Sequence, residues 1–73
     1  MGNILVIEDN EDIAAGLRDN LELEGHTVRT AGTGLAGVHV AREWNPEIII
    51  LDLTLPDIDG HQVMRLIRRD GIT

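Results

Sequence analysis

Two short runs are apolar at every position, and each ends abruptly in acid: Ile4-Leu5-Val6-Ile7 before Glu8 and Asp9, and Ile48-Ile49-Ile50-Leu51 before Asp52. Consecutive branched side chains without alternation do not suit a half-exposed strand. They fit strands buried on both faces, as in a parallel sheet covered by helices. Between the runs the period changes. From Asn10 to Glu24, Ile13, Leu17 and Leu21 recur every four positions with Ala14 beside them, and Gly25 follows as a helix stop. His26 to Ala31 carries a weaker strand signal, with Val28 between Thr27 and Arg29. Gly32-Thr33-Gly34 then breaks the chain before Leu35, Val38 and Ala41 at helical spacing.

The second helix is expected to end near Trp44, because Asn45-Pro46 disfavours its continuation. After the second apolar run, Leu53 to Gly60 reads as a loop. Asp59 and Gln62 have capping-box spacing, and Val63, Leu66 and Ile67 define a third helix closing near Gly71. The order β-α-β-α-β-α, without repeat, low-complexity stretch or linker, predicts one α/β unit over residues 1–73. Crossovers between parallel strands are right-handed. If the second strand lies on one side of the first and the third on the other, the helices fall on opposite faces. The crevice between strands one and three is then a switch point where ligands bind.

Composition narrows the chemistry. The chain has 73 residues, 42% of them hydrophobic and 26% charged, enough for one small domain with a thin margin of stability. A net charge of −7 argues against direct binding of nucleic acid. Arg65, Arg68 and Arg69 cluster at helical spacing and read as the solvated end of a helix. All six basic residues are arginine, so the sequence has no lysine, and it has no cysteine either. The longest apolar run is too short for a membrane span and the amino terminus lacks a secretion signal, so a cytoplasmic protein is expected. His26, His39 and His61 are scattered without metal-site spacing, and Trp44, the only aromatic residue, reads as a packing anchor. Gly32-Thr33-Gly34 is too short for a dinucleotide fingerprint.

The acids carry the functional reading. Parallel strands bring Glu8, Asp9 and Asp52 to the same, carboxyl, edge of the sheet. Singly each has an ordinary explanation: Asp9 or Asn10 as a helix cap, Asp52 as the start of a turn. Together they would raise one another's pKa unless a cation neutralised them, and an oxygen-only, water-accessible site suits Mg²⁺. The spacing from Asp52 to Gly60 does not follow that of a calcium-binding loop. A carboxylate beside Mg²⁺ can attack phosphorus, forming an aspartyl phosphate. Asp52, alone at the end of its strand, suits that role better than the adjacent Glu8 and Asp9.

The segments Ile4-Leu5-Val6-Ile7-Glu8-Asp9-Asn10 and Ile48-Ile49-Ile50-Leu51-Asp52-Leu53-Thr54-Leu55-Pro56-Asp57-Ile58-Asp59-Gly60 resemble the first and third strands of a two-component response-regulator receiver domain. The resemblance runs through the whole chain. It implies a three-layer, flavodoxin-like (βα)3 unit with parallel strands in order 2-1-3, ending before the family's fourth and fifth strands. It implies Asp52 as phospho-acceptor, Asp9 as a direct Mg²⁺ ligand, Glu8 acting on the metal through water and Thr54 as a ligand through its backbone carbonyl. Pro56 and Gly60 would shape the loop. The implied partner is a histidine kinase, and the chain is expected to be an acceptor rather than an enzyme.

The family also carries a Ser or Thr at the end of its fourth strand and a Lys at the end of its fifth. Neither has a counterpart here: beyond Asp52 the only hydroxyls are Thr54 and Thr73. Phosphoryl transfer is therefore expected to be impaired. The free edge of the third strand is expected to pair with a second copy, giving a homodimer with strand order 2-1-3-3′-1′-2′. The competing expectation is a shortened half-fold that self-associates without accepting phosphate.

Overall fold

The computed structural model describes residues 2–69 and 71. Strand β1 (Asn3–Ile7) lies at the centre of a parallel sheet, with β2 (Thr27–Ala31) on one side and β3 (Ile48–Leu51) on the other. Helices α1 (Glu11–Leu23), α2 (Gly34–Trp44) and α3 (Gly60–Arg69) follow the strands in turn. The predicted alternation and the 2-1-3 order are thus both present.

The alternation of side chains along β1 divides the core in two. Leu5 and Ile7 face a cluster with Val38 and Ala41 of α2 and Val63 and Ile67 of α3. Ile4 and Val6 face the other way, with Val28, Leu17 and Leu21 packed beside them. All four of these β1 side chains are buried. Each such burial contributes about 1.5–3 kcal/mol relative to exposure, so β1 dominates the stability of a chain this small. The third strand departs from expectation. Read as buried on both faces, it is instead partly open, with Ile48 52% exposed and Ile49, Ile50 and Leu51 half-buried. Its outer edge has no neighbouring strand among the described residues.

Helix ends follow local chemistry. Asn10 caps α1, its Oδ1 accepting from the N–H groups of Asp12 (3.0 Å) and Ile13 (3.2 Å). At the other end Gly25, at φ 93°, donates to the Glu22 carbonyl, and His26 donates to that of Leu21, which closes α1 by a Schellman turn. Thr33 caps α2, and Asn45 ends it in a left-handed conformation before the buried Pro46. The capping box at α3 forms in both directions: Gln62 N–H donates to Asp59 Oδ1 at 2.9 Å, and Asp59 N–H donates to Gln62 Oε1 at 3.1 Å.

Candidate functional site

Hydrogen bonding in register continues past the ends of the strands and fixes the acids. Leu51 is level with Ile7, and the Asp52 N–H donates to the Ile7 carbonyl at 3.0 Å. On the other side the Glu8 N–H donates to the Ala31 carbonyl at 2.9 Å. Glu8 and Asp52 therefore leave adjacent strands side by side, and Asp9 follows. One carboxylate oxygen from each of Glu8, Asp9 and Asp52 lies within 4.8 Å of the others. Because Asn10 supplies the α1 cap, the carboxylate of Asp9 is not committed to that role.

Glu8 and Asp52 are shifted in opposite directions. The Asn10 N–H, donating to Glu8 Oε2 at 3.3 Å, favours the charged form of Glu8. The neighbouring Asp52 and Asp9 carboxyls and partial loss of water outweigh it, and the Glu8 pKa is raised. Asp52 moves the other way. Its Oδ1 accepts from the Thr54 N–H at 3.0 Å and the Thr54 hydroxyl at 3.1 Å, and the Glu8 carboxyl stands beside it. These donors hold Asp52 below the usual carboxylate value. The crowding expected to raise these carboxyls is thus overridden at Asp52, first by the Thr54 N–H and then by the neighbouring Glu8 carboxyl and the Thr54 hydroxyl.

The loop from residue 52 to 59 is tied down at several points. Gly60 N–H donates to the Leu53 carbonyl at 3.2 Å. A Cβ on Gly60 would stand 2.8 Å from Leu53 Cα and 3.0 Å from the Asp52 carbonyl oxygen, so only glycine lets the loop return this closely. Leu55 and Ile58 pack against the α2 and α3 side of the core. Asp57 makes a tie that its sequence position does not announce. Its Oδ1 accepts from Gly34 N–H at 2.8 Å and its Oδ2 from Leu35 N–H at 2.9 Å, across 23 and 22 residues. The Leu35 N–H first, then that of Gly34, lower the Asp57 pKa. A Pro-Asp pair in a loop reads locally as turn chemistry, and nothing in the sequence points to a partner that far away.

Glu8, Asp9 and Asp52 are the sequence-derived site residues that the fold brings together, and Thr54 joins them through its bonds to Asp52. The histidines stand elsewhere: His26 Nδ1 accepts from Gly2 N–H at 3.1 Å, and His39 pairs with Glu43 at 3.4 Å. Trp44 packs on the core with Arg29 over its ring at 4.7 Å, as an anchor would. The donor set suits a hard divalent cation: all oxygen, open to water, and with three carboxylates close enough that the Glu8 pKa is raised.

The chain matches the family model for the response regulator receiver domain over residues 4–73. It is 45% identical over 69 residues to the transcriptional regulatory protein AfsQ1 of Streptomyces coelicolor, a match covering 94% of this chain and 31% of that protein. Protein PilH of Pseudomonas aeruginosa is 33% identical over all 73 residues, which span 60% of its length. The N-terminal domain of a response regulator receiver protein from Methanoculleus marisnigri superposes with a TM-score of 0.93 at 26% identity, covering 100% of this chain and 59% of that one. The response regulator protein TrrA of Thermotoga maritima, in complex with Mg(2+)-BeF, gives 0.89 at 33% identity, covering 94% and 60%. The chain therefore spans between about three-tenths and three-fifths of the lengths of these relatives. No helix among the described residues is long and apolar enough to cross a membrane.

Proposed function

The chain belongs to the response-regulator receiver family, and on that premise we propose that it accepts a phosphoryl group on Asp52 from the phosphohistidine of a histidine kinase. Glu8, Asp9 and Asp52, with the Thr54 carbonyl, would hold Mg²⁺ for this reaction. The observation that carries the reading is the meeting of three carboxylate oxygens within 4.8 Å at the ends of two adjacent parallel strands, with Asp52 held below the usual carboxylate value by the Thr54 donors.

An ionised Asp52 is ready to act as the nucleophile without a general base. Its attack forms a bond from carboxylate oxygen to phosphorus while the phosphorus–nitrogen bond to the histidine breaks, and the bonding pair leaves with the imidazole. Thr54 fixes the direction of the carboxylate through its two donors, so little reorganisation is needed on the way to the transition state. Bound Mg²⁺ would offset negative charge on the transferred phosphoryl oxygens. The phosphoryl group ends on the protein itself, so the chain acts as an acceptor and not as an enzyme that turns over. The 73 residues hold no lysine and, beyond Asp52, no hydroxyl other than Thr54 and Thr73. Transfer to this stretch alone is accordingly expected to be slow, since removing even one donor that stabilises developing charge costs about 10²–10³ in rate in an acyl-transfer site.

Intact mass after incubation with Mg²⁺ and acetyl phosphate tests the proposal. A phosphate adduct that disappears when Mg²⁺ is withheld and in Asp52→Asn supports it; an adduct retained in Asp52→Asn would refute the assignment. The open flank of β3 favours a second property. Ile48 is 52% exposed, and a groove beside the strand is lined by Ile49, Leu51, Met64, Ile67 and Arg68. An apolar strand edge without a neighbouring strand among the described residues is a template for pairing, and these 73 residues are expected to form a homodimer there, whether or not Asp52 reacts.

A further inference from the structure

The start of α2 and the loop after β3 meet in an arrangement more closely fitted than helix capping alone requires. Thr33 already serves the helix in the ordinary way: its hydroxyl accepts from Ala36 N–H at 3.1 Å, and its carbonyl accepts from Gly37 N–H at 3.0 Å. The two N–H groups left over, those of Gly34 and Leu35, are taken by the two oxygens of one carboxylate, that of Asp57. Beside this fork Ile58 presses on Gly34, where a Cβ would stand 2.5 Å from Ile58 Cγ1 and 2.9 Å from Val63 Cγ2. The helix start thus has a local cap and a distant one, and the distant one belongs to the loop that begins at Asp52.

We infer that Asp57 is a positioning residue for the Asp52 site: by clasping the amino end of α2 it holds the 52–59 loop, and so Thr54, in the place where Thr54 can orient the Asp52 carboxylate. The chain of contacts is short. Thr54 gives both of its donors to Asp52 Oδ1, the Gly60 N–H returns to the Leu53 carbonyl, and Asp57 lies between these two anchors. With Asp57 removed, the stretch between Thr54 and the Asp59 cap of α3 is left to Leu55 and Ile58, apolar contacts that carry no direction. Second-layer groups of this kind are what hold the ligands of a metal site in their productive orientation.

The inference rests on the reading of the acidic cluster as a Mg²⁺ site, and its test keeps the two apart. Mg²⁺ is titrated into the full chain and into Asp57→Ala and Thr33→Ala, following the amide resonances of Glu8, Asp9, Asp52 and Thr54, with hydrogen exchange measured at the Gly60 amide. Thr33→Ala removes the local cap of the same helix and leaves the clasp. Asp57→Ala is expected to weaken Mg²⁺ binding about tenfold and to speed exchange at Gly60, while Thr33→Ala lowers thermal stability and leaves both nearly unchanged. Equal effects of the two substitutions on binding, or none from Asp57→Ala, would overturn the inference. If the unsubstituted chain binds no Mg²⁺, the metal reading fails, and the exchange rate at Gly60 still decides whether Asp57 holds the loop. Should Asp57→Ala not fold, Asp57→Asn, which keeps one acceptor, is read by the same measurements. A loss smaller than tenfold but larger than that of Thr33→Ala then supports the inference, and no difference between the two overturns it.

Discussion

At the scale of single residues, the decisive feature is how differently three carboxylates at this end of the fold are treated. Glu8 is pushed towards its neutral form by its acidic neighbours, Asp52 is kept charged by Thr54, and Asp57 is kept charged by the backbone of α2. Asp57 gives a pH dependence of definite sign. A carboxyl with a lowered native pKa adds stability that is complete above its unfolded value, about 3.9, and that is lost as the pH falls through the lower native value. The urea midpoint of Asp57→Asn is therefore expected to lie a small, constant distance below that of the unsubstituted chain from neutrality to about pH 5, and the two should converge below about pH 4. A gap that widens on acidification would contradict this sign. The acids at the strand ends were legible because their positions follow from two apolar runs and the parallel direction of the strands. The ionisation of Asp52 was not, because it depends on how the loop folds back, and the role of Asp57 was not, because its partners lie in another helix.

At the scale of elements, what the sequence made plain was what short-range chemistry governs. Gly25 as the stop of α1, Asn45 before Pro46, and the reciprocal Asp59 and Gln62 cap all concern neighbours within a few positions. The turn of each helix about its axis was less legible. Spacing placed Ile13 and Leu35 on buried faces, but they are 50% and 58% exposed, while Ala14, Gly34 and Gly37 are buried in their place. The small residues let α2 approach the sheet closely, and the larger ones are turned aside. Gly37 makes this measurable. In an exposed helix interior, glycine to alanine gains up to about 1 kcal/mol. Here the new Cβ would stand 2.5 Å from Ile7 Cδ1, 2.7 Å from its Cγ1 and 3.1 Å from its Cγ2. No rotation of the end methyl alone relieves that contact, and Ile7 is fully buried on the central strand. Gly37→Ala is expected to destabilise by about 1–3 kcal/mol in denaturant unfolding, despite its better helix propensity. Ile7→Val, which removes the nearest methyl, should recover part of the loss when the two are combined, and additive effects in that double-mutant cycle would mean that α2 and β1 do not meet as described.

At the scale of the whole molecule, two features of the same chain oppose each other. The flank of β3, which has no neighbouring strand among the described residues, would favour a second copy under the proposed pairing, while a net charge of −7 on each copy resists it. The balance fixes how association should respond to solvent. Apolar pairing survives added salt and charge repulsion is screened by it, the screening length falling from about 10 Å at 0.1 M to about 3 Å at 1 M. Sedimentation of the chain at high micromolar concentration is expected to show a dimer that tightens as sodium chloride is raised. Ile48 is the place to break it, since it lies at the edge and is already 52% exposed, so a charge there costs the folded chain little. Ile48→Lys is expected to leave the unfolding free energy of the monomer within about 0.5 kcal/mol of the original and to shift the sedimentation coefficient to that of a monomer. Two outcomes would remove the β3 pairing: an unsubstituted chain that stays monomeric at high micromolar concentration, or a dimer that loosens in salt and ignores Ile48→Lys. The second outcome would point to ion pairing elsewhere, and the arginines at the end of α3, where Arg68 and Arg69 carry the positive charge of the last turn, would be the next residues to substitute.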